Sequence, residues 1–133
     1  MSNWVIDIGW SGVSPSVTIE LVKIQNSENA FIDRHKLQDY ALDPNHRVGK
    51  HKARLFATLL GMTLDDAEAL RDILYQVVIT HEAVVGRKDE FGQRYQIDFK
   101  LEWQGKEAMV RSAWNMRPDE DFPRLVTCYP LEE

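Results

Sequence analysis

His46 stands in a loop between Pro44 and Gly49, and Arg47, Lys50, His51, Lys52 and Arg54 crowd in after it, with no acidic residue between Asp43 and Asp65. An imidazole, with an unperturbed pKa of about 6.5, exchanges a proton at physiological pH. Closely grouped cations hold phosphate oxygens. Later in the chain come Arg111, Trp114, Arg124, Thr127 and Tyr129. These residue types together make the parts of metal-free RNA cleavage: a base for the 2′-hydroxyl proton, cations for the scissile phosphate and an acid for the leaving oxygen. His46, Lys52, Arg111 and Arg124 are therefore the candidate catalytic residues, with His46 as general base or acid. Gly49, Lys50, His51 and Arg54 are the candidate phosphate-binding residues. The competing readings are structural: a histidine that pins its loop by bonding a backbone group, and a solvated basic face.

The charge balance sharpens the case for an anion. The chain carries a net charge of −5, so solubility does not require a local basic run. Lys50, Lys52 and Arg54 fall in the first turns of an expected helix, where cations oppose the helix dipole and a bound anion would relieve the conflict. Gly49 would let backbone N–H groups approach that anion closely. Other chemistries find no foothold. The single cysteine, Cys128, excludes an internal disulfide and a Cys-rich zinc site. His35, His46, His51 and His81 lack metal-ligand spacing with carboxylates, so neither metal nor cofactor is expected. There is no phosphate-binding glycine loop, nucleophile elbow or dinucleotide fingerprint. No apolar run approaches the ~18 residues of a membrane span, and the first residues do not read as a signal peptide. With one cysteine, this leads to an expectation of a cytoplasmic protein.

The elements that must position these residues follow from periodicity. A chain of 133 residues has room for one domain. Trp4 to Trp10 and Val17 to Ile24, around Ser11-Gly12-Val13-Ser14-Pro15, predict an N-terminal hairpin extension over residues 1–25. In the second of these strands Val17, Ile19 and Leu21 alternate with Thr18 and Glu20. Asp33 is the expected N-cap of a helix from Arg34 to Ala41, with Leu37, Tyr40 and Ala41 apolar, and Pro44 ends it. A helix from Lys50 to Leu60 places Ala53, Phe56, Ala57 and Leu60 on one side and stops at Gly61. Thr63 and Asp66 form a capping box for a third helix, expected to run to about Gln76 with Ala67, Leu70, Leu74 and Val77 inward. Val77 to Thr80 reads equally as a helix end or a strand start. Tyr95, Ile97, Phe99 and Leu101 alternate with Arg94, Gln96, Asp98 and Lys100, which predicts a strand whose Phe99 face is buried. Gln104-Gly105 turns it into a strand from Ala108 to Met116, and Arg124 to Tyr129 is the last strand. Three helices followed by a mainly antiparallel sheet is the α+β pattern, with residues 26–130 as its core.

Three runs carry a resemblance. They are Asn29-Ala30-Phe31-Ile32-Asp33, Lys36 to His46, and Gly49-Lys50-His51-Lys52-Ala53-Arg54-Leu55-Phe56. With Val110 to Trp114 and Pro123 to Tyr129, they resemble the bacterial domain of unknown function numbered 6883. The chain departs from it at Arg47, commonly proline in the family, and in its N-terminal hairpin. The resemblance implies a toxin- and phage-associated setting and a fold similar to the barnase, EndoU, colicin and RelE ribonuclease group. It implies a metal-independent ribonuclease-like toxin domain acting on RNA, with an immunity or antitoxin protein as partner. The alternative is a non-catalytic protein-binding module of a toxin–immunity or phage-defence system, and a fold-keeping member without activity is a third. The N-terminal strands would then serve a partner or a homodimer.

Overall fold

The computed structural model describes residues 2–7, 16–47 and 49–132, and strand side chains are described from Ile19 onward. Strands β1 (Ser2–Asp7), β2 (Ser16–Val22), β3 (Ala83–Asp89), β4 (Gly92–Trp103), β5 (Lys106–Met116) and β6 (Arg124–Pro130) form one six-stranded sheet in the order of the chain. Every neighbouring pair is antiparallel. The helices are inserted between β2 and β3. Helix α1 covers residues 34–41, an α-turn Arg34–Lys36 continuing as π-helical Leu37–Ala41. Helix α2 covers residues 50–60, α-helical over Lys50–Leu55 and π-helical over Phe56–Leu60. Helix α3 is Ala67–Thr80, entered through a 3-10 turn Leu64–Asp66.

The α+β class is as expected, and the hairpin joins the sheet through the end of its second strand. Leu21 pairs with Val84 and Val22 with Ala83, so β2 lies beside β3. Without it, β3 would expose a row of unpaired backbone groups. The expected turn around Gly9, Gly12 and Ser11–Pro15 lies outside the described residues.

Local signals place the helix ends. The Asp33 carboxylate accepts from the His35 N–H at 2.9 Å. Gly61 takes the left-handed conformation at φ 69° that closes α2. The Thr63 N–H donates to the Asp66 carboxylate at 3.0 Å, completing the capping box. Helix α3 outruns its expected end at Gln76 and takes in the β-branched run to Thr80. Val77 and Val78 are buried, and that packing overrides their modest helix propensity.

The helices cover one face of the sheet. Ile97, Phe99 and Leu101 of β4 and Val110 and Trp114 of β5 are buried there with Phe56, Leu60, Leu70, Leu74 and Val78. The Tyr40 side chain, expected on this side, lies outside those described. Trp114 Nε1–H donates to Ser112 Oγ at 2.9 Å, and Ser112 Oγ–H donates to the Ile97 carbonyl at 2.9 Å, so these two side chains are satisfied inside the core. Between β5 and β6 the register slips: Thr127 faces Ala113, Leu125 faces Trp114, and Val126 is the extra residue. That bulge keeps Leu125 and Cys128, three positions apart, both buried. Asp98, Arg111 and Tyr129 fall on the opposite, open face.

Candidate functional site

The loop before α2 folds on its own polar groups. Asp43 Oδ1 accepts from the Asn45 N–H at 2.9 Å, and the Asp43 carbonyl accepts from the His46 N–H at 3.2 Å. His46 then caps the helix. Its Nδ1 accepts from the Gly49 N–H at 2.9 Å and its carbonyl from the Lys50 N–H at 3.1 Å. An accepting Nδ1 carries no proton, so the neutral ring held this way is protonated on Nε2. Two of the amides at this helix start are thus engaged within the loop. Gly49 is buried at φ −81° and ψ −7°, an ordinary helical backbone, so no left-handed turn requires glycine here.

The cations of α2 divide by helical spacing. Two residues subtend about 200° on a helix, so Lys50 and Arg54 share one flank and Lys52 lies on the other. Arg47, Lys50, His51 and Arg54 are exposed and, among the described residues, take no carboxylate partner. The arginines elsewhere mostly do. Arg34 pairs with Glu68 at 2.8 Å, Arg87 with Asp89 at 3.3 Å, Arg111 with Asp98 at 2.9 Å and Arg124 with Glu120 at 2.7 Å.

Lys52 reaches the last strand. Its Nζ lies 5.5 Å from the centre of the Tyr129 ring, within cation–π range. Tyr129 sits directly opposite Arg111 across β5 and β6. Arg111 donates from Nε and Nη2 to both Asp98 oxygens at 2.9 and 3.0 Å. Those bonds hold its guanidinium charged beyond the usual arginine range; burial opposes, and Tyr129 adds a smaller contribution. The structure therefore brings Lys52 and Arg111 to one tyrosine. It does not bring Arg124 there, because Arg124 faces Asn115, about 13 Å along β5 from Arg111. Arg124 is engaged with both Glu120 oxygens, and its guanidinium carbon lies 4.9 Å from the Phe31 ring and 5.3 Å from the Phe122 ring. His46 is at the head of α2.

The Asp98 partner of Arg111 escaped the sequence reading, although a signal was present. Asp98 lies six residues before Gln104 and Arg111 six after Gly105, so the tight turn makes them partners. The neighbouring Cys128 is fully buried, and burial pushes its thiol up to about 12 with the Lys52 charge partly opposing, which leaves it inert as a nucleophile. Among the described residues, no group of three or more His, Cys, Asp and Glu could hold a metal, and no helix is long and apolar enough to cross a membrane.

The Arg124 pair has a measurable signature. Hydrogen bonds from Arg124 hold the Glu120 carboxyl below its ordinary 4.5, with desolvation opposing. A depressed carboxylate stabilises the fold above the ordinary range, and that stabilisation is lost as pH falls through the lowered value. In an NMR titration Glu120 should titrate below the ordinary carboxylate value of 4.5, and Arg124→Ala should move it back toward that value. An ordinary value in the wild type would mean that the pair does not form in solution.

The family model described as Domain of unknown function (DUF6883) matches residues 23–132. No curated protein and no solved structure matches the chain.

Proposed function

From the premise that this chain belongs to the DUF6883 family, we propose that it binds the phosphate backbone of RNA along α2 and cleaves it without a metal, as a ribonuclease-like toxin domain of the cytoplasm. The observation that carries this reading is the set of exposed cations at Arg47, Lys50 and Arg54 that take no carboxylate among the described residues, on a chain of net charge −5. An acidic protein that neutralises most of its arginines but leaves this run open has the local electrostatic footprint of a polyanion site.

Chemistry would take place beside Lys52. The Tyr129 phenol lies between Lys52 and Arg111, so a phosphate bound there meets two cations and one proton-exchanging hydroxyl. In the proposed step a base removes the 2′-hydroxyl proton and the 2′-oxygen attacks phosphorus. The bond to the 5′-oxygen breaks and an acid protonates that oxygen, leaving a 2′,3′-cyclic phosphate. Lys52 and Arg111 stabilise the charge that develops on the phosphoryl oxygens. His46, bound through Nδ1 to Gly49, stands at the head of α2 beside the cationic run. Its use as a base would require the other tautomer and loss of the Gly49 bond. Arg124 contributes backbone contacts away from the scissile group.

The test compares purified wild type with Lys52→Ala, Tyr129→Phe and His46→Ala on total RNA in EDTA. Cleavage by the wild type, reduced about 100-fold or more by Lys52→Ala and Tyr129→Phe, is the expected result. His46→Ala should also cut activity, and persistence at the wild-type rate removes His46 from the mechanism. A wild type that neither cleaves RNA nor binds it in a salt-dependent way overturns the reading.

A second reading draws on the sheet order. Strand β1 is terminal, and its outer edge pairs with no strand among the described residues. Such an edge can accept a strand from an immunity-type protein or a second copy of the chain. Under that reading RNA cleavage is absent, and substitutions in the edge strand Ser2–Asp7 abolish partner binding, since residues 17–22 belong to the interior strand β2.

A further inference from the structure

A cleft of about 270 Å3 opens on the flank of α2 away from Tyr129. Its floor is apolar: Leu42, Ala53 and Met62 are all buried. Ala57 and Leu64 line it as well, and Leu64 is 45% exposed. Asp43 and Asp65 also line it. Lys50 and Arg54 lie three residues before Ala53 and Ala57, on the adjoining row of the helix surface and outside the lining itself.

We infer that this cleft is a nucleobase subsite, selective for a base that carries an exocyclic amino group. The inference rests on the RNA reading above and adds to it a specificity that the reading does not contain. Three features select this ligand. The volume lies just below the roughly 300–1,000 Å3 of drug-sized ligand pockets, which suits one planar ring system. The apolar floor takes the faces of such a ring. A carboxylate accepts hydrogen bonds and has none to give, so the edge of the ring must present donors. Cytosine, adenine and guanine do so through an amino group with two N–H donors, whereas uracil offers a single N3–H flanked by two carbonyl oxygens that the carboxylates repel. One oxygen of Asp43 is engaged by the Asn45 N–H, so Asp65 and the second Asp43 oxygen carry the acceptor capacity. The two lining carboxylates alone would also suit a simple amine, but Lys50 and Arg54 on the adjoining row disfavour a ligand that is only cationic. A nucleotide satisfies both signs, its phosphate toward that row and its amino group inside.

The experiment is fluorescence anisotropy with labelled oligocytidine and oligouridine hexamers at fixed salt. Wild type should bind oligocytidine about tenfold tighter. Ala57→Phe, which fills the cleft from an exposed helix position, should erase the difference and leave oligouridine binding unchanged. Should that variant lack a cooperative melt, Asp65→Ala removes the acceptor with the same expected loss of preference. Equal binding of both hexamers by the wild type, or a preference that survives the variants, overturns the subsite while backbone binding stands. Binding of neither hexamer overturns the RNA reading and the subsite together.

Discussion

Phe56→Ala should lower the unfolding free energy by about 3–5 kcal/mol, the range for truncating a fully buried aromatic side chain. Phe56 has 0% exposure and lies on α2 between Ala53 and Leu60, both buried. Its replacement removes apolar contact and leaves a cavity that the surrounding side chains only partly fill. Domain stabilities are about 5–15 kcal/mol, so this one change takes a large share. The melting temperature should fall by on the order of 10 °C or more. An unchanged melting temperature would place a different face of α2 against the sheet. It would also undo the assignment of Lys52 to one flank and of Lys50 and Arg54 to the other.

Gly92→Ala should cost at least about 3 kcal/mol, through backbone strain and collision together. Gly92 starts β4 at φ +130°, outside the range of L side chains. A Cβ there would stand 2.2 Å from the Met116 carbonyl oxygen and 2.8 Å from Asn115 Oδ1. Asn115 is buried and bonds the Phe91 carbonyl from Nδ2 at 3.0 Å, so it has little room to retreat. Gly61→Ala is the internal control. Gly61 is also left-handed, at φ +69°, but its Cβ would meet nothing within 4 Å. That substitution should cost only the left-handed penalty of roughly 1–2 kcal/mol. Equal losses in the two variants, measured by urea unfolding, would show that the close approach of β5 to Gly92 is not present in solution.

Much of this architecture was legible in single stretches. The alternation from Tyr95 to Leu101 identified β4 and its buried Ile97 and Phe99, because a strand places every second residue on one face. Gln104-Gly105 identified the β4–β5 hairpin, because Gly105 readily takes the positive φ of 86° that the turn needs, with Gln104 drawn into the same region at 47°. Asp33, Gly61 and the Thr63–Asp66 box marked helix ends, because caps bond only within a few residues. The cationic run from Arg47 to Arg54 was equally plain.

Other features depend on residues distant in the chain. The docking of β2 on β3 joins Leu21 to Val84, a pairing that no local pattern specifies. The Val126 bulge exists because Leu125 and Cys128 must both be buried, which strict alternation forbids. The arginines show the division most clearly. Residue type alone made Arg111, Arg124 and Arg54 equivalent phosphate ligands. Strand pairing gave Arg111 to Asp98, the loop before β6 gave Arg124 to Glu120, and the flank of α2 left Arg54 without a carboxylate. The sequence determined where the positive charges are, because charge is a property of the residue. Only the tertiary structure decided which of them stand beside a carboxylate among the described residues, because neutralisation is a property of neighbours within a few ångströms.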